Sequence, residues 1–208
     1  MPAAGFCSVP PMFKPCAVIP VFNHQAAMSA VVSGVLAQQL VCIIVDDGSG
    51  PACAAVLDGL AGATPSRVTL LRHPANRGKG AAVLTGVRHA AQAGFTHALQ
   101  IDADGQHRVE DIAIFLAQAA LHPRALVIGC PRYDHSVPRL RLWARYLTHV
   151  WVSINTLSRR IEDSMCGFRV YPLAPLIELD RQRKLGARMS FDIEILVRLC
   201  WAGIEIIN

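Results

Sequence analysis

Short apolar runs recur along the first two thirds of the chain: CAVIPVF (16–22), VCIIV (41–45), VTLL (68–71), HALQI (97–101) and ALVIG (125–129). The first two are rich in β-branched residues and bounded by polar turns, and the other three behave the same way, so each predicts a strand. The runs are nearly continuous in apolar residues, as in strands covered on both faces. Between them, helical spacing predicts helices near 25–40, 52–62, 79–94 and 110–120. This alternation predicts an α/β fold, a mostly parallel central sheet flanked by helices on both faces. Right-handed crossovers then bring the strand C-termini to one edge.

The second half is less regular. A helix is expected over about 139–158, a strand or turn at SMCGFRVY (164–171), and a helix over about 190–202. Gly203 is placed to end that last helix as its C′ residue. IEIIN (204–208) then begins another strand where the sequence stops, which reads as a truncated C-terminus.

From Pro15 to Val45 there is no Asp, Glu, Lys or Arg. Polar residues and Pro20 interrupt the stretch, so a strand, a turn and a buried helix explain it better than a membrane span. Over all 208 residues, 52% are apolar and 17% charged, a balance that excludes disorder and suits a single compact core. The net charge of +5 arises in the second half, without the dense basic stripe of a nucleic-acid binder. An anionic ligand or membrane surface fits that excess. The seven cysteines include no C-x-x-C pair, and several lie in apolar runs, which points to a reducing cytoplasmic compartment.

In open parallel sheets, ligands bind outside the carboxyl ends of the strands. Three polar clusters fall there: PVFNH (20–24), DDGSG (46–50) and DADGQH (102–107). In the last, Asp102 and Asp104 sit two residues apart on an extended chain, on one side and about 6–7 Å from each other. A divalent cation relieves their repulsion, and oxygen-only ligands favour Mg²⁺ or Mn²⁺, with Gln106 as a neutral third ligand. An EF-hand is excluded because Ala113 stands where the loop glutamate belongs. In DDGS, Asp46 and Asp47 can accept hydrogen bonds from a nucleobase and a ribose, and Ser49 can cap the next helix. NRGKGAAV (76–83) offers glycines for close backbone approach and Lys79 for a phosphate, but it is neither a P-loop nor a dinucleotide fingerprint.

Together the ordered clusters PVFN, DDGS, NRGKG, DADGQ, DSMCGFR and FDIE resemble the family-2 glycosyltransferases of GT-A fold, most of all polyprenyl-phosphate hexose synthases. The resemblance implies one catalytic domain over 1–208. A nucleotide-binding half would run to about residue 105 and an acceptor-binding half from about 106. It places Pro20, Val21, Asn23, Asp46, Asp47, Gly78, Lys79, Asp102 and Ala103 at the nucleotide, and Asp102, Asp104 and Gln106 on the metal. His24 stands where the family usually has a glutamate, which leaves UDP against GDP open. On the acceptor side it offers Asp163, Arg169, Asp192 and Arg132 as catalytic residues and Arg145 for the acceptor.

The implied reaction is inverting transfer of a hexose from UDP- or GDP-hexose to a lipid-type acceptor, in cell-envelope lipid glycosylation. A hydroxyl acceptor needs a base, for which Asp163 is the first candidate. A phosphate acceptor is already largely ionised, with a second pKa of about 6, and needs positioning by arginines instead. The aromatic segment 142–158 suggests either a core face or a peripheral contact with the cytoplasmic face of the inner membrane. The competing readings are a nucleotidyltransferase and a non-catalytic nucleotide-sugar-binding partner subunit.

Overall fold

The computed structural model describes residues 12–130, 151, 152, 154, 156, 161, 163–183 and 185–208. Arg132, Arg145 and most of the helix expected over 139–158 lie outside the described residues, although 151, 152, 154 and 156 are helical. The strands are β1 (Pro15–Val21), β2 (Cys42–Asp46), β3 (Val68–Arg72), β4 (His97–Gln100), β5 (Leu126–Ile128), β6 (Arg169–Pro172) and β7 (Ile206–Ile207). Helices α1 (Met28–Ala37), α2 (Pro51–Ala63), α3 (Lys79–Gln92), α4 (Ile112–Leu121), α5 (Leu173–Gln182) and α6 (Phe191–Trp201) pack around them.

The sheet runs in the order β3-β2-β1-β4-β6-β5-β7. β1 pairs in parallel with β2 and β4, β2 with β3, and β5 with β7. β6 alone reverses, lying antiparallel between β4 and β5. The SMCGFRVY run therefore divides into a turn and then this strand. Register places Val21 beside Asp46, and Val18 beside Gln100, so the ends of β1, β2 and β4 share one edge.

Successive strand residues feed opposite faces, as the pleat requires. Val18, Ile43, Val45 and Ala98 join the core that contains Val83, Val87, Leu176 and Leu199 from α3, α5 and α6. Ala17, Ile19, Ile44 and Leu99 join a second core with Val32, Leu57 and Ile112 from α1, α2 and α4. A Cβ on Gly86 would collide with Val18 and stand 3.1 Å from Val45, so this glycine lets α3 lie flat against β1 and β2.

Helix α5 was not expected from the sequence. Pro175 reads as a breaker there, yet it falls in the first turn, where no intrahelical N–H is needed. At the end of α6, Gly203 has φ 76°, and Gly203 and Ile204 donate N–H to the carbonyls of Cys200 and Leu199. That is the C′ glycine motif read from the sequence.

Candidate active site

The strand ends enclose a cavity of about 650 Å³ at this carboxyl edge. β1 and the turn after it contribute Pro20, Val21, Phe22 and His24 to its wall, and the loop into α3 with the first residue of that helix contributes Asn76, Gly78 and Lys79. Asp47 comes from the end of β2, and Asp102, Ala103 and Asp104 from the end of β4. Arg188, Met189 and Ser190, from the segment before α6, close the remaining side. That segment lies across the start of α3: the Ala81 N–H donates to the Ala187 carbonyl at 3.0 Å. Gly78 has φ 100°, and any side chain there would run into the Ala187 carbonyl.

Seven of the nine expected nucleotide residues line this cavity: Pro20, Val21, Asp47, Gly78, Lys79, Asp102 and Ala103. Asn23 and Asp46 do not; they build the wall from behind. Asn23, at φ 53°, accepts the Gly50 N–H at 2.8 Å and donates its own N–H to Ser49 Oγ at 3.0 Å. Ser49 is therefore a staple between two turns, not the cap of α2. That cap position is held by Gly50, with Pro51 following in the first turn. Asp46 is buried and accepts the Ser49 N–H (2.8 Å) and Arg72 Nε (2.7 Å). Burial alone would raise its pKa, but the Ser49 hydrogen bonds and the Arg72 guanidinium outweigh it and hold the carboxyl below the usual range.

Asp47 is held more tightly still. Its Oδ1 meets His73 Nδ1 at 2.7 Å and the Arg77 N–H at 2.9 Å, and its Oδ2 accepts the Gly78 N–H at 2.7 Å. His73 is buried, with its Nε2 2.9 Å from Thr85 Oγ1. The sequence carried no signal for His73, because its partners lie on β2 and α3, 26 and 12 residues away.

Asp102 carries the charge of the site. Lys79 Nζ lies 2.8 Å from its Oδ1 and 2.9 Å from its Oδ2, and 2.9 Å from Asp192 Oδ2. His107 Nε2 stands 3.8 Å from Asp102 Oδ2, its ring stacked on Phe168. Burial opposes the Asp102 charge, but His107 and Lys79 outweigh it and hold the carboxyl at about 2. Burial likewise opposes the Lys79 charge, and Asp102 and Asp192 outweigh it, raising the ammonium pKa. A Cβ on Gly167 would stand 2.8 Å from Asp102 Cγ, so the glycine of MCGFR makes room for this carboxylate. Asp104 is exposed and accepts the Gln106 N–H at 3.0 Å.

Gln106 lines a neighbouring recess with His107 and Cys166, not the cavity shared by Asp102 and Asp104. Gly105, at φ 72°, turns the chain away before it. Among the described residues no three His, Cys, Asp or Glu side chains converge as a closed metal cage. Asp102 and Asp104 nevertheless share one cavity, and the buried Asp102 Oδ1 accepts no well-directed hydrogen bond. Such a two-carboxylate set suits a small hard cation that completes its shell with phosphate oxygens and water.

Of the expected acceptor-side residues, Asp163, Arg169 and Asp192 are buried, while Arg132 and Arg145 lie outside the described residues. Asp163 is buried, and its Oδ1 accepts the N–H groups of Met165 (2.7 Å) and Cys166 (2.9 Å). Arg169 is fully buried, and its guanidinium donates to the carbonyls of Cys166, Asp192 and Ser164. Asp192 is also buried and meets the cavity residue Lys79. Glu194 faces away, bonded to the Gly186 N–H and Arg198. In the sequence Arg188 counts only as part of the basic stretch Arg181 to Arg188, and no spacing there marks it as the residue that reaches the cavity.

A polyprenol monophosphomannose synthase from Mycolicibacterium smegmatis is 28% identical over 208 residues, covering 97% of this chain and 77% of that protein. A dolichyl-phosphate beta-glucosyltransferase from Dictyostelium discoideum is 29% identical over 175 residues, covering 74% of this chain and 49% of that protein. A mannosyltransferase from Pyrobaculum calidifontis, solved with GDP-Man and Mn²⁺, matches with a TM-score of 0.63 at 18% identity. The match covers 95% of this chain and 55% of that one, so the chain spans about half the length of this structure. TarS of S. aureus, solved with UDP, matches with a TM-score of 0.60 at 15% identity, over 94% of this chain and 58% of that one. These two structures show the shared fold, the GT-A arrangement. Residues 16–175 match the family model of glycosyl transferase family 2, and the chain belongs to that family of glycosyltransferases.

Proposed function

We propose that the chain transfers a hexose from UDP- or GDP-hexose, with inversion, to a polyprenyl-phosphate type of lipid. The observation that carries this reading is the cavity where Asp102, Asp104, Lys79 and Asp47 meet the walls of β1 and the 188–190 segment. Asp102 and Asp104 would hold Mg²⁺ or Mn²⁺, which when bound neutralises the leaving diphosphate. Lys79 and Arg188 add positive charge on the same cavity. The Asp47–His73 pair fixes the backbone at Arg77 and Gly78, which opens α3 toward the nucleotide. Phe22 and His24 would flank the base.

A lipid phosphate is favoured over a hydroxyl as acceptor for a specific reason. Asp163, the candidate base, is buried and caps its own turn. A phosphate oxygen attacks C1 without first losing a proton, so this acceptor needs no poised base. The relatives named for polyprenol and dolichyl phosphate agree with this choice. Arg132 and Arg145 are the proposed partners of the acceptor phosphate.

Peripheral membrane contact, at the cytoplasmic face, is part of the proposal. Among the described residues no helix is long and apolar enough to cross a membrane. Trp151, Ile154 and Trp201 are well exposed, as side chains at a lipid interface are.

The test is calorimetry with UDP and GDP, with and without Mn²⁺, followed by a hydrolysis screen across nucleotide sugars. Metal-dependent nucleotide binding that vanishes in Asp104→Ala supports the reading. Pyrophosphate release from nucleoside triphosphates, or no nucleotide binding, refutes it.

A further inference from the structure

One ammonium holds two carboxylates that differ in kind. Asp192 is buried and accepts a Gln100 amide hydrogen at 3.2 Å, and Gln100 in turn accepts the Tyr171 hydroxyl at 3.1 Å. Asp102 stands on the cavity wall; its Oδ2 accepts Lys79 Nζ at 2.9 Å, while its Oδ1, 2.8 Å from the same ammonium, has no well-directed hydrogen bond. Withdrawing Lys79 from Asp192 would strand a buried charge, which is costly. Withdrawing it from Asp102 would leave a carboxylate open to whatever fills the cavity. The ammonium is thus anchored at one end and exchangeable at the other.

We propose that Lys79 is a built-in counter-ion that occupies Asp102 until a divalent cation and a diphosphate arrive together. The inference rests on the metal reading above. A cation that takes Asp102 removes one partner from the ammonium and leaves two positive charges facing each other. A diphosphate alone meets an ammonium already neutralised by carboxylates. When both are present, the flexible stem of Lys79 lets Nζ keep Asp192 and turn to a phosphate oxygen. Each ligand then removes the other's obstacle. The coupling is positive and, as a binding free energy, equal in both directions.

The experiment is titration of Mn²⁺, with and without GDP or UDP, into wild type, Lys79→Met and Asp192→Asn. Nucleotide–Mn²⁺ titrations without protein supply the correction. In wild type, nucleotide should tighten Mn²⁺ binding about tenfold or more. Lys79→Met should bind Mn²⁺ alone about tenfold more tightly than wild type, with the nucleotide coupling largely lost. Asp192→Asn should shift the other way, binding Mn²⁺ more weakly, because the ammonium then concentrates on Asp102. General damage to the fold would weaken both variants, so the opposite signs are diagnostic, and Asp192→Asn decides if Lys79→Met does not fold. Equal Mn²⁺ affinity in all three proteins overturns this inference alone. No Mn²⁺ binding in any of them, even with nucleotide, overturns the metal reading and this inference with it.

Discussion

Two aspartate turns stand at the same edge of the sheet and do opposite things. DDGS closes β2, and DADG closes β4, one strand away across β1. In the first turn the protein itself supplies the donors. Asp46 takes Ser49 and Arg72, and Asp47 takes His73, Arg77 and Gly78. In the second, Asp102 has the flexible Lys79 ammonium and, at 3.8 Å, the His107 ring, and Asp104 has one backbone N–H and open solvent. Strand-end position is shared, so it does not decide which acid binds a ligand. What decides is how many fixed donors surround each carboxylate. We propose that the fully satisfied carboxylates act mainly as scaffold and the under-satisfied ones meet the ligand.

The largest effect expected from this contrast is on catalysis. Asp102→Asn keeps the shape of the turn but removes the charge that Lys79 and a cation both need. The turnover of nucleotide sugar should fall by about two to three orders of magnitude, the scale of losing one electrostatic element of a site. Steady-state kinetics at saturating donor and metal reads it. A fall of less than tenfold would place DADG with the scaffold turns and break the contrast.

Next comes a stability effect on the other turn. Asp47→Ala leaves the buried His73 Nδ1 and the part-buried Arg77 and Gly78 N–H groups without their acceptor. Removing the acceptor of such a hydrogen-bond network costs about 2–3 kcal/mol. Urea unfolding should show the loss with or without nucleotide. If Asp47→Ala unfolds like wild type but no longer binds nucleotide, Asp47 belongs with the ligand after all.

The same contrast explains what the sequence could reveal. Strand runs 16–22, 41–45 and 97–101 are local patterns, and so is Gly203 after α6, so each was legible. The strand-end location of PVFN, DDGS and DADG followed from the parallel sheet alone. Donor satisfaction is not local. Arg169 looked like a phosphate ligand, but it is buried by pairing β6 with β4 and β5 and holds three carbonyls. Asp163 looked like a base, but it caps the turn two and three residues on. Gln106 was read by its spacing from Asp104, whereas Gly105 sends it to another recess. Arg188 enters the cavity because its segment crosses the start of α3, a contact no spacing encodes.

A smaller effect appears against pH. The Asp102 carboxyl is held at about 2, below its ordinary 3.8, so the folded state favours its charged form. Its contribution is therefore fully present above the unfolded value near 4 and is lost as pH falls through 2. The shift corresponds to about 2 kcal/mol. With chelator present, the unfolding free energies of wild type and Asp102→Asn should differ at pH 5 and converge between pH 4 and 2. A difference that does not change over that acid range would mean that Lys79 and His107 do not hold Asp102 charged.

The smallest effect sharpens the contrast most. Asp104 is exposed, and the Gln106 N–H it accepts can turn to water instead. Asp104→Asn should therefore change the unfolding free energy by less than about 0.5 kcal/mol, as exposed positions usually do. Metal-dependent nucleotide binding should nonetheless be lost, because the amide brings no charge to a cation. Thermal melts and calorimetry on one preparation make the comparison. A neighbour in the same turn as Asp102 that is dispensable for the fold and indispensable for the ligand is what an under-satisfied carboxylate means. Should the melt move by several degrees while binding persists, the turn would be holding the chain together, as DDGS does, and the ligand would have to lie elsewhere on the cavity.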